Sequence, residues 1–426
     1  MTRLSALLIL AASSLTAQEF TTLKGHGGPI MGVAVSPSGQ VATASFDNSV
    51  GLWSGRDPRW LEGHAAAVTV VGFTTQGIPV SGGDDFAVRL WGDHPRELGR
   101  HKGKVTALAP SPDGAVLASG SWDGAIHLWP LADGSAASLA SPGAGVNALA
   151  YDGAGRLFAG TSNGALLRYD SPASTPFPLV KHGFGVNTLA LGDGWVAYGA
   201  VDGGTRVVDA ETGAQIADFT LDRRPILAMA YDAETARLAV GDGQGFIMVI
   251  DTVTWSITHD FRAAREGPVW ALAFSPDGET IYAGGLDDVA YAWPVALLDA
   301  FAPGIEGQRS FLRDAGTMPN GERQFMRKCS ICHALDDGPS RKAGPNLHGL
   351  FGRRAGTVRG YGYSPILQGS DIIWDERSVD ALFHVGPDNF IPGSKMPMQV
   401  ISGAQDRADL IAFLKTATQQ DTQEGE

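Results

Sequence analysis

The sequence predicts a multidomain protein in which a long all-β repeat array is followed by a small all-α domain. A pattern of histidine, aspartate and tryptophan recurs about every 40 residues between residues 25 and 293. The 56 glycines and 24 prolines are spread along the chain, as expected for many short strands joined by tight turns. From Asn320 onward the repeat is absent, and Gly321, Phe325 and Met326 lie on a stretch with helical spacing.

The first 17 residues predict a signal peptide. Arg3 supplies a positive charge, residues 4–12 form a short apolar run, and Ala17 offers a small residue at the cleavage position. A buried N-terminal helix is the alternative interpretation. The run is too short to cross the roughly 30 Å of a bilayer core as a helix, and no other apolar stretch approaches the ~20 residues that a span needs, so we predict no membrane span.

The charge of the chain is uneven. The net charge of −13 argues against nucleic acid as a partner, because binding to phosphates needs patches of lysine and arginine. Residues 319–426 contain 12 Lys and Arg against 13 Asp and Glu, so nearly all of the acidic excess lies in residues 1–318. An acidic surface there favours basic partners and association that depends on salt.

Three copies of the repeat are well preserved in residues 25–129. In each copy a histidine precedes a tryptophan by 27 or 28 residues, and an aspartate precedes the same tryptophan by six. These sets are His26, Asp47 and Trp53, then His64, Asp85 and Trp91, then His101, Asp123 and Trp129. Four degraded copies follow as far as Trp293, which gives seven copies.

Residues 18–295 resemble the WD-repeat propellers on these motifs. The resemblance implies a seven-bladed β-propeller with four strands per blade, in which residues 19–23 supply the outermost strand of the last blade. It also implies a hydrogen-bonded tetrad, formed in the first copy by His26, Ser45, Asp47 and Trp53 and in the third by His101, Ser121, Asp123 and Trp129. Because these residues recur around a ring, we interpret them as structural and predict no catalytic residues.

A connector and a tail flank the last domain. Residues 296–318 mix glycine, proline and charged residues after an initial apolar run, and predict a linker. Residues 417–426 are polar and predict a disordered tail.

The two cysteines of the chain lie in one short motif. Cys329, Cys332 and His333 form a C-x-x-C-H string, the attachment signal for a covalent haem c. On a helix, residues three and four apart share a face, so both thiols can reach one porphyrin while the imidazole reaches the iron. The string alone also occurs in zinc sites and redox dithiols. Zinc would need two further ligands at matching spacing, and a dithiol of the thioredoxin type would need a βαβ context.

Residues 319–416 closely resemble the class I cytochromes c of the mitochondrial type. The resemblance rests on residues 344–353 (GPNLHGLFGR), residues 391–396 (IPGSKM) and residues 409–415 (DLIAFLK), together with the C-x-x-C-H string and in the same order as in that family. It implies an all-α class I cytochrome c domain that carries one covalent haem c and its iron.

The resemblance also implies a role for each matching residue. His333 and Met396 match the two iron ligands, and the carbonyl of Pro345 matches the acceptor that fixes the other ring nitrogen of His333. The residues that match those around the buried haem propionates are Arg353, Tyr363, Trp374 and Ser394. Gly321 and Phe325 are expected to cross Leu410 and Phe413 where the two terminal helices meet.

Other ligands and departures from the family accompany this assignment. Met398, His348 and His384 are rival iron ligands, although the Pro-Gly turn before residue 395 favours Met396. Phe383 stands where the family usually has a tyrosine near the methionine sulfur. Asp388 and Asn389 replace residues that are usually basic, which leaves Lys328, Lys342 and Lys395 near the expected haem edge.

These features predict a periplasmic electron-transfer protein of a bacterium. Haem of this type is attached after export, which agrees with the signal peptide. The propeller would serve as a docking platform for a redox protein partner: an oxidase, reductase or dehydrogenase. The alternative is a propeller-based oxidoreductase whose second cofactor relays electrons to haem c. A haem-based sensor would need an open iron site, which Met396 opposes.

Overall fold

The computed structural model describes most of the chain. It describes residues 21–132, 134–220, 225–264, 267–298, 318–330, 332–338, 342–394, 396 and 399–419. The predicted signal peptide, most of the predicted linker and most of the predicted tail lie outside these residues. The last helix runs to Ala417, one residue past the predicted end of the domain.

The described part of residues 21–294 forms seven four-stranded antiparallel sheets, the blades of a propeller, which confirms the predicted fold. Strands of blade 1 are β2 (Ile30–Val35), β3 (Val41–Ser45), β4 (Ser49–Ser54) and β5 (Asp57–Glu62). Blade 2 contains β6 (Val68–Phe73), β7 (Pro79–Gly83), β8 (Ala87–Leu90) and β9 (Arg96–Arg100). Blade 3 contains β10 (Val105–Pro110), β11 (Val116–Ser121), β12 (Ile126–Pro130) and β13 (Ala137–Ser138).

The remaining blades follow the same order. Blade 4 contains β14 (Val146–Tyr151), β15 (Leu157–Thr161), β16 (Ala165–Tyr169) and β17 (Phe177–Lys181). Blade 5 contains β18 (Val186–Gly192), β19 (Trp195–Ala200), β20 (Thr205–Asp209) and β21 (Gln215–Asp218). Blade 6 contains β22 (Ile226–Asp232), β23 (Arg237–Asp242), β24 (Phe246–Asp251) and β25 (Ser256–Arg262). Blade 7 contains β26 (Val269–Phe274), β27 (Thr280–Gly285), β28 (Val289–Pro294) and β1 (Thr21–Lys24).

The two ends of the propeller pair in blade 7. β1 lies antiparallel to β28, with Thr21 opposite Ala292 and Lys24 opposite Val289. Leu23 is buried in this position. The closure predicted from the sequence is therefore confirmed for the described residues, and it covers the edge that β28 would otherwise expose.

Adjacent blades pack through a small residue in the second strand. A Cβ at Gly160 would lie 2.7 Å from Val186 in the next blade, and one at Gly241 would lie 2.7 Å from Val269. The equivalent glycines of blades 2, 3, 5 and 7 face Val105, Val146, Ile226 and Ile30 in the same way. Each of these β-branched residues begins an innermost strand and is buried. The glycines thus permit the close contact that holds the ring together.

The hydrogen-bonded tetrad is present, but its hydroxyl comes from a different residue than predicted. His26 Nε2 lies 2.7 Å from Thr43 Oγ1, and Trp53 Nε1 donates to the same oxygen at 2.8 Å. His26 Nδ1 lies 2.9 Å from Asp47 Oδ2. Ser45 instead donates to the carbonyl of Gly28 at 3.0 Å.

The hydroxyl comes from Thr43 rather than from Ser45 for a simple geometric reason. Thr43 pairs with Gly51, whose missing side chain leaves room for the imidazole and the indole beside the hydroxyl. Ser45 ends the strand and is taken up by the turn that follows. In blades 2 and 3 the tetrad hydroxyls are those of Ser81 and Ser119, so Ser121 was also assigned wrongly.

The described C-terminal residues contain five helices. They are α1 (Asn320–Lys328), α2 (Pro365–Gln368), α3 (Glu376–Val385), α4 (Pro387–Phe390) and α5 (Ala404–Ala417). A short 3₁₀ helix, Val295–Leu297, follows the propeller. α3 begins with a capping box in which Asp375 accepts from Ser378 N at 2.7 Å.

α1 crosses α5 at a glycine, as predicted. A Cβ at Gly321 would lie inside van der Waals contact of Asp409 O and 2.8 Å from Phe413 Cβ, so only glycine allows the two backbones to approach. The rings of Phe325 and Phe413 lie 5.5 Å apart between their centroids. Leu410 is fully buried at this crossing. This packing holds α1, and with it the start of the cysteine motif, against the rest of the domain.

Candidate functional site

A cavity of about 340 Å³ is lined mainly by the C-terminal domain. Its walls are mostly apolar side chains, including Leu347, Leu350, Leu367, Val379, Leu382, Phe383, Ile391 and Leu414. All nine residues that the sequence assigned to haem contribute to its lining: Cys329, Cys332, His333, Pro345, Arg353, Tyr363, Trp374, Ser394 and Met396. Residues separated by up to 67 positions are thus brought to one site.

The cysteine motif lies in the turns that follow α1. The helix ends at Lys328, but Cys329 N still donates to Phe325 O at 2.8 Å, and His333 N donates to Cys329 O at 2.9 Å. The chain therefore keeps helical spacing between Cys329 and His333, although the sequence predicts a helix that runs through the motif and the helix of the structure ends at Lys328.

Backbone contacts fix the imidazole of His333. Nδ1 donates to Pro345 O at 2.7 Å, the hydrogen bond that the resemblance implied. This bond selects the tautomer with a lone pair on Nε2, the atom that would bind a metal. Burial lowers the pKa of His333, which keeps the imidazole neutral and suited to ligation.

Gly344 makes room for that imidazole. A Cβ at this position would lie 2.5 Å from His333 Cε1 and 2.9 Å from Cys332 O. Gly344 N also donates to Cys332 O at 2.7 Å. The segment that contains Pro345 can therefore approach the motif closely enough for its carbonyl to orient His333.

The thiol of Cys329 is buried and that of Cys332 is half-buried. Burial raises the pKa of Cys329 to about 12 and that of Cys332 to about 11. Both thiols are therefore protonated at neutral pH in the protein without a bound group. In the described residues, no group of three or more His, Cys, Asp and Glu side chains lies close enough to hold a metal ion.

Met396 and Ser394 also line the cavity, and both follow α4 in the chain. Ser394 Oγ accepts from Met396 N at 3.1 Å, which fixes the turn that carries the methionine. Of the rival ligands, His348 is absent from the cavity lining and His384 is exposed on α3. Met398 lies outside the described residues. Among the candidates that the structure describes, the cavity therefore holds His333 and Met396.

Half-buried hydrogen-bonding groups lie together in one part of the cavity lining. Arg353 donates through Nη2 to Asn346 O at 2.8 Å, and Tyr361 donates to Ala343 O at 2.9 Å. Burial lowers the pKa of Arg353 and raises that of Tyr361 to about 12. The rings of Tyr361 and Tyr363 pack edge to face with centroids 4.7 Å apart. A partly buried guanidinium with two phenols favours an anionic group nearby.

Three further polar lining residues of the C-terminal domain were not found from the sequence: Tyr361, Ser364 and Gln399. No signal in the sequence pointed to Tyr361, because Tyr363 is the tyrosine that matches the family position. Ser364 Oγ and Gln399 Oε1 are buried and have no hydrogen-bond partner within the described part of the chain. Such orphaned atoms only become visible in three dimensions, since serine and glutamine carry no motif of their own.

The arrangement fits a haem. The apolar walls match the porphyrin faces, the two thiols and the imidazole share one turn, and a thioether lies in the same cavity. The guanidinium, the Tyr363 phenol and the orphaned Ser364 hydroxyl would supply hydrogen-bond donors for the propionates.

The described residues contain no helix with the length and apolar character that crossing a bilayer requires.

Comparisons with known proteins agree with the two-part architecture. The family described as WD domain, G-beta repeat matches residues 17–54, 92–130 and 255–293, and the cytochrome c family matches residues 319–418. Cytochrome c of Nigella damascena is 43% identical over 105 residues, which cover 24% of this chain and 93% of the relative. Cytochrome c of Sesamum indicum is 46% identical over 104 residues, or 24% of this chain and 92% of the relative.

A third relative has a lower sequence identity. Cytochrome c of Chlamydomonas reinhardtii is 40% identical over 104 residues, again 24% of this chain and 92% of the relative. The match thus spans nearly the whole of each relative and only the last quarter of this chain. The match to cytochrome c indicates electron transfer with haem for the C-terminal domain, and the match to the WD repeat indicates protein interaction for the propeller. The chain belongs to the cytochrome c family, as a fusion of a seven-bladed WD-repeat propeller with a C-terminal cytochrome c domain.

Proposed function

We propose that this chain is an exported electron-transfer protein with one covalent haem c, held by Cys329 and Cys332 and ligated by His333 and Met396. When bound, haem supplies reversible one-electron exchange between ferric and ferrous iron. The observation that carries the proposal is the shared cavity, in which both thiols, the oriented imidazole and Met396 occur together.

The residues of the chain perform separate tasks in this function. Pro345 O holds the imidazole so that its Nε2 is available to the iron. Met396 supplies a soft thioether, which favours ferrous iron and raises the reduction potential. Apolar walls exclude water, and the donors around Arg353 offset the buried charge of the propionates.

We further propose that the protein works in the bacterial periplasm and docks a redox protein on its propeller. The apolar N-terminal run and the haem attachment motif support export. The WD-repeat match and the acidic excess of residues 1–318 support a platform for a basic protein partner. Cell fractionation followed by N-terminal sequencing tests the location: the mature chain is expected in the periplasm and to begin at Gln18.

The axial ligand is tested with two methionine variants of the full chain. Met396→Leu is expected to let carbon monoxide bind the reduced iron at neutral pH, because it removes the thioether. Met398→Leu is the matched control and is expected to behave like the wild type. If Met398→Leu opens the iron and Met396→Leu does not, the assignment is wrong. Chromophore bands beyond those of haem c would favour the propeller-based oxidoreductase instead.

A further inference from the structure

The propeller contributes part of the wall of the cavity that we assign to haem. Six residues of blades 1 and 2 line it together with the cytochrome c domain: Phe46, Asn48, Ala65, Ala66, Ala67 and Asp84. Phe46 and Asn48 lie in the turn between β3 and β4, and Asp84 lies in the turn between β7 and β8. The alanines lie in the connection from β5 to β6. These segments occur at one end of neighbouring blades and form one continuous surface, which we call the blade 1–2 surface.

Tetrad residues hold the blade 1–2 surface rigid. Asp47, between Phe46 and Asn48, accepts from Gly27 N at 2.8 Å and contacts His26. Ala65 N donates to Asp85 Oδ2 at 2.8 Å, which ties the alanine segment to the turn that holds Asp84. A surface that is already ordered loses little conformational entropy when another domain packs on it.

The chemistry of the blade 1–2 surface matches a contact between two proteins. Phe46 and the three alanines are apolar, whereas Asn48 and Asp84 are polar. Asn48 Oδ1 is buried and has no hydrogen-bond partner in the part of the chain that the structure describes, and the same holds for Gln399 Oε1 on the cytochrome side. Phe46 and the three alanines are the part of this surface whose burial favours packing against another domain.

Charged residues of opposite sign line this cavity from the two parts of the chain. Asp84 lines it from the propeller and Lys328 lines it from the end of α1. Burial raises the pKa of Asp84, although Lys104 of the propeller lies 3.9 Å from its carboxylate and opposes the rise.

We propose that the blade 1–2 surface is the docking site for the haem edge of the same chain, so that the propeller covers the route by which electrons reach the iron. The inference rests on the proposed function, since it requires haem in the cavity. It goes further by giving the propeller an intramolecular partner. Electron exchange with an external molecule then requires the cytochrome c domain to leave this surface.

A pair of matched full-length, haem-loaded variants tests the docking. Ala66→Trp places a wedge on the blade 1–2 surface. Ala144→Trp is the control, because Ala144 precedes Val146 just as Ala66 precedes Val68, is half-buried like Ala66, and does not line the cavity. Haem reduced in each variant is oxidised with ferricyanide, and the second-order rate is measured. Ala66→Trp is expected to raise the rate several-fold, and Ala144→Trp to leave it at the wild-type value.

A cross-link supplies a second readout that does not depend on the wedge. Carbodiimide joins a carboxylate to an amine with loss of water, and is expected to link Asp84 to Lys328 in the full chain, as seen by peptide mass spectrometry. Asp84→Asn must abolish the link. Coloured protein with equal rates in both variants and no such link would overturn the docking alone. Colourless protein would overturn the proposed function, and the docking with it.

Discussion

At the scale of single residues, the site depends on how closely the backbone can approach one imidazole. His333 is oriented by Pro345 O, and that carbonyl reaches it only because Gly344 has no side chain. The sequence already pointed to His333 and Pro345 through the family motif. Glycine is needed at position 344 for a steric reason, which only the structure shows.

Gly344→Ala is expected to displace His333. The new methyl group would lie 2.5 Å from the imidazole, and overpacking of this kind costs about 1–3 kcal/mol. Thermal unfolding and the haem spectrum of the full chain are measured. Gly362→Ala is the control, because a Cβ there has no heavy atom within 4 Å. Equal effects of the two changes would contradict the steric account.

Phe383→Tyr is expected to shift the midpoint potential of the haem. Phe383 is buried and lines the cavity, so an added hydroxyl would bring a hydrogen-bond donor close to the thioether that we assign to iron. Potentiometric titration measures the shift. Phe351→Tyr, outside the lining of this cavity, serves as the control. An unchanged midpoint potential in Phe383→Tyr would show that the missing hydroxyl at position 383 does not influence the potential of the haem.

Sequence motifs could predict the site residues that chemistry or backbone geometry restricts to one type. Cys329, Cys332, His333 and Met396 belong to this class, and all line the cavity. Motifs could not predict Gln399, whose amide could bind many partners and whose position depends on the fold. Predictions for residues outside the described part, such as Met398 and Ala17, remain predictions.

At the scale of elements, each blade depends on a buried polar cluster within an apolar sheet. In blade 1 a single hydroxyl, that of Thr43, serves both His26 and Trp53. The sequence predicted which histidine and tryptophan take part, because their spacing repeats. It did not predict the hydroxyl, because Thr43 and Ser45 point to the same side of β3 and only the position of Gly51 decides between them.

Thr43→Val is expected to destabilise the propeller. It leaves two buried ring nitrogens without their hydroxyl partner, and each orphaned group costs about 1–3 kcal/mol. Thr43→Ser keeps the hydroxyl, as Ser81 and Ser119 do in the next two blades, and should stay near the wild type. Chemical denaturation measures both variants. A larger loss in Thr43→Ser than in Thr43→Val would refute the assignment.

The tetrad of blade 3 is expected to make stability depend on pH. Burial lowers the pKa of His101 from 6.5 to about 4; His127 adds to this effect and Asp123 opposes it. Between pH 6.5 and pH 4 the unfolded chain therefore binds a proton that the folded chain does not. Stability falls as the pH falls through this window and levels off below it.

His101→Gln removes the titrating group and should flatten that part of the profile. The expected change is on the order of 2 kcal/mol between pH 7 and pH 4. Urea unfolding at several pH values measures it in the wild type and the variant. Parallel profiles for the two proteins would show that His101 does not control the pH dependence.

At the scale of the whole molecule, the chain joins a rigid acidic ring to a small domain that is nearly neutral in charge. The repeat period predicted the ring and its closure, because closing a propeller pairs the first strand with the last blade. Separate motifs predicted the second domain. The lining that both parts share could not be predicted, since no motif in either domain refers to the other.

The most direct test of this account is the intact mass of the full chain produced in a bacterium with active cytochrome c maturation. The wild-type protein is expected to be coloured, with a mass that exceeds that of the chain from Gln18 onward by one haem. This increment is expected to be lost when Cys329 and Cys332 are both changed to alanine. A colourless wild-type protein with the mass of the polypeptide alone would contradict it.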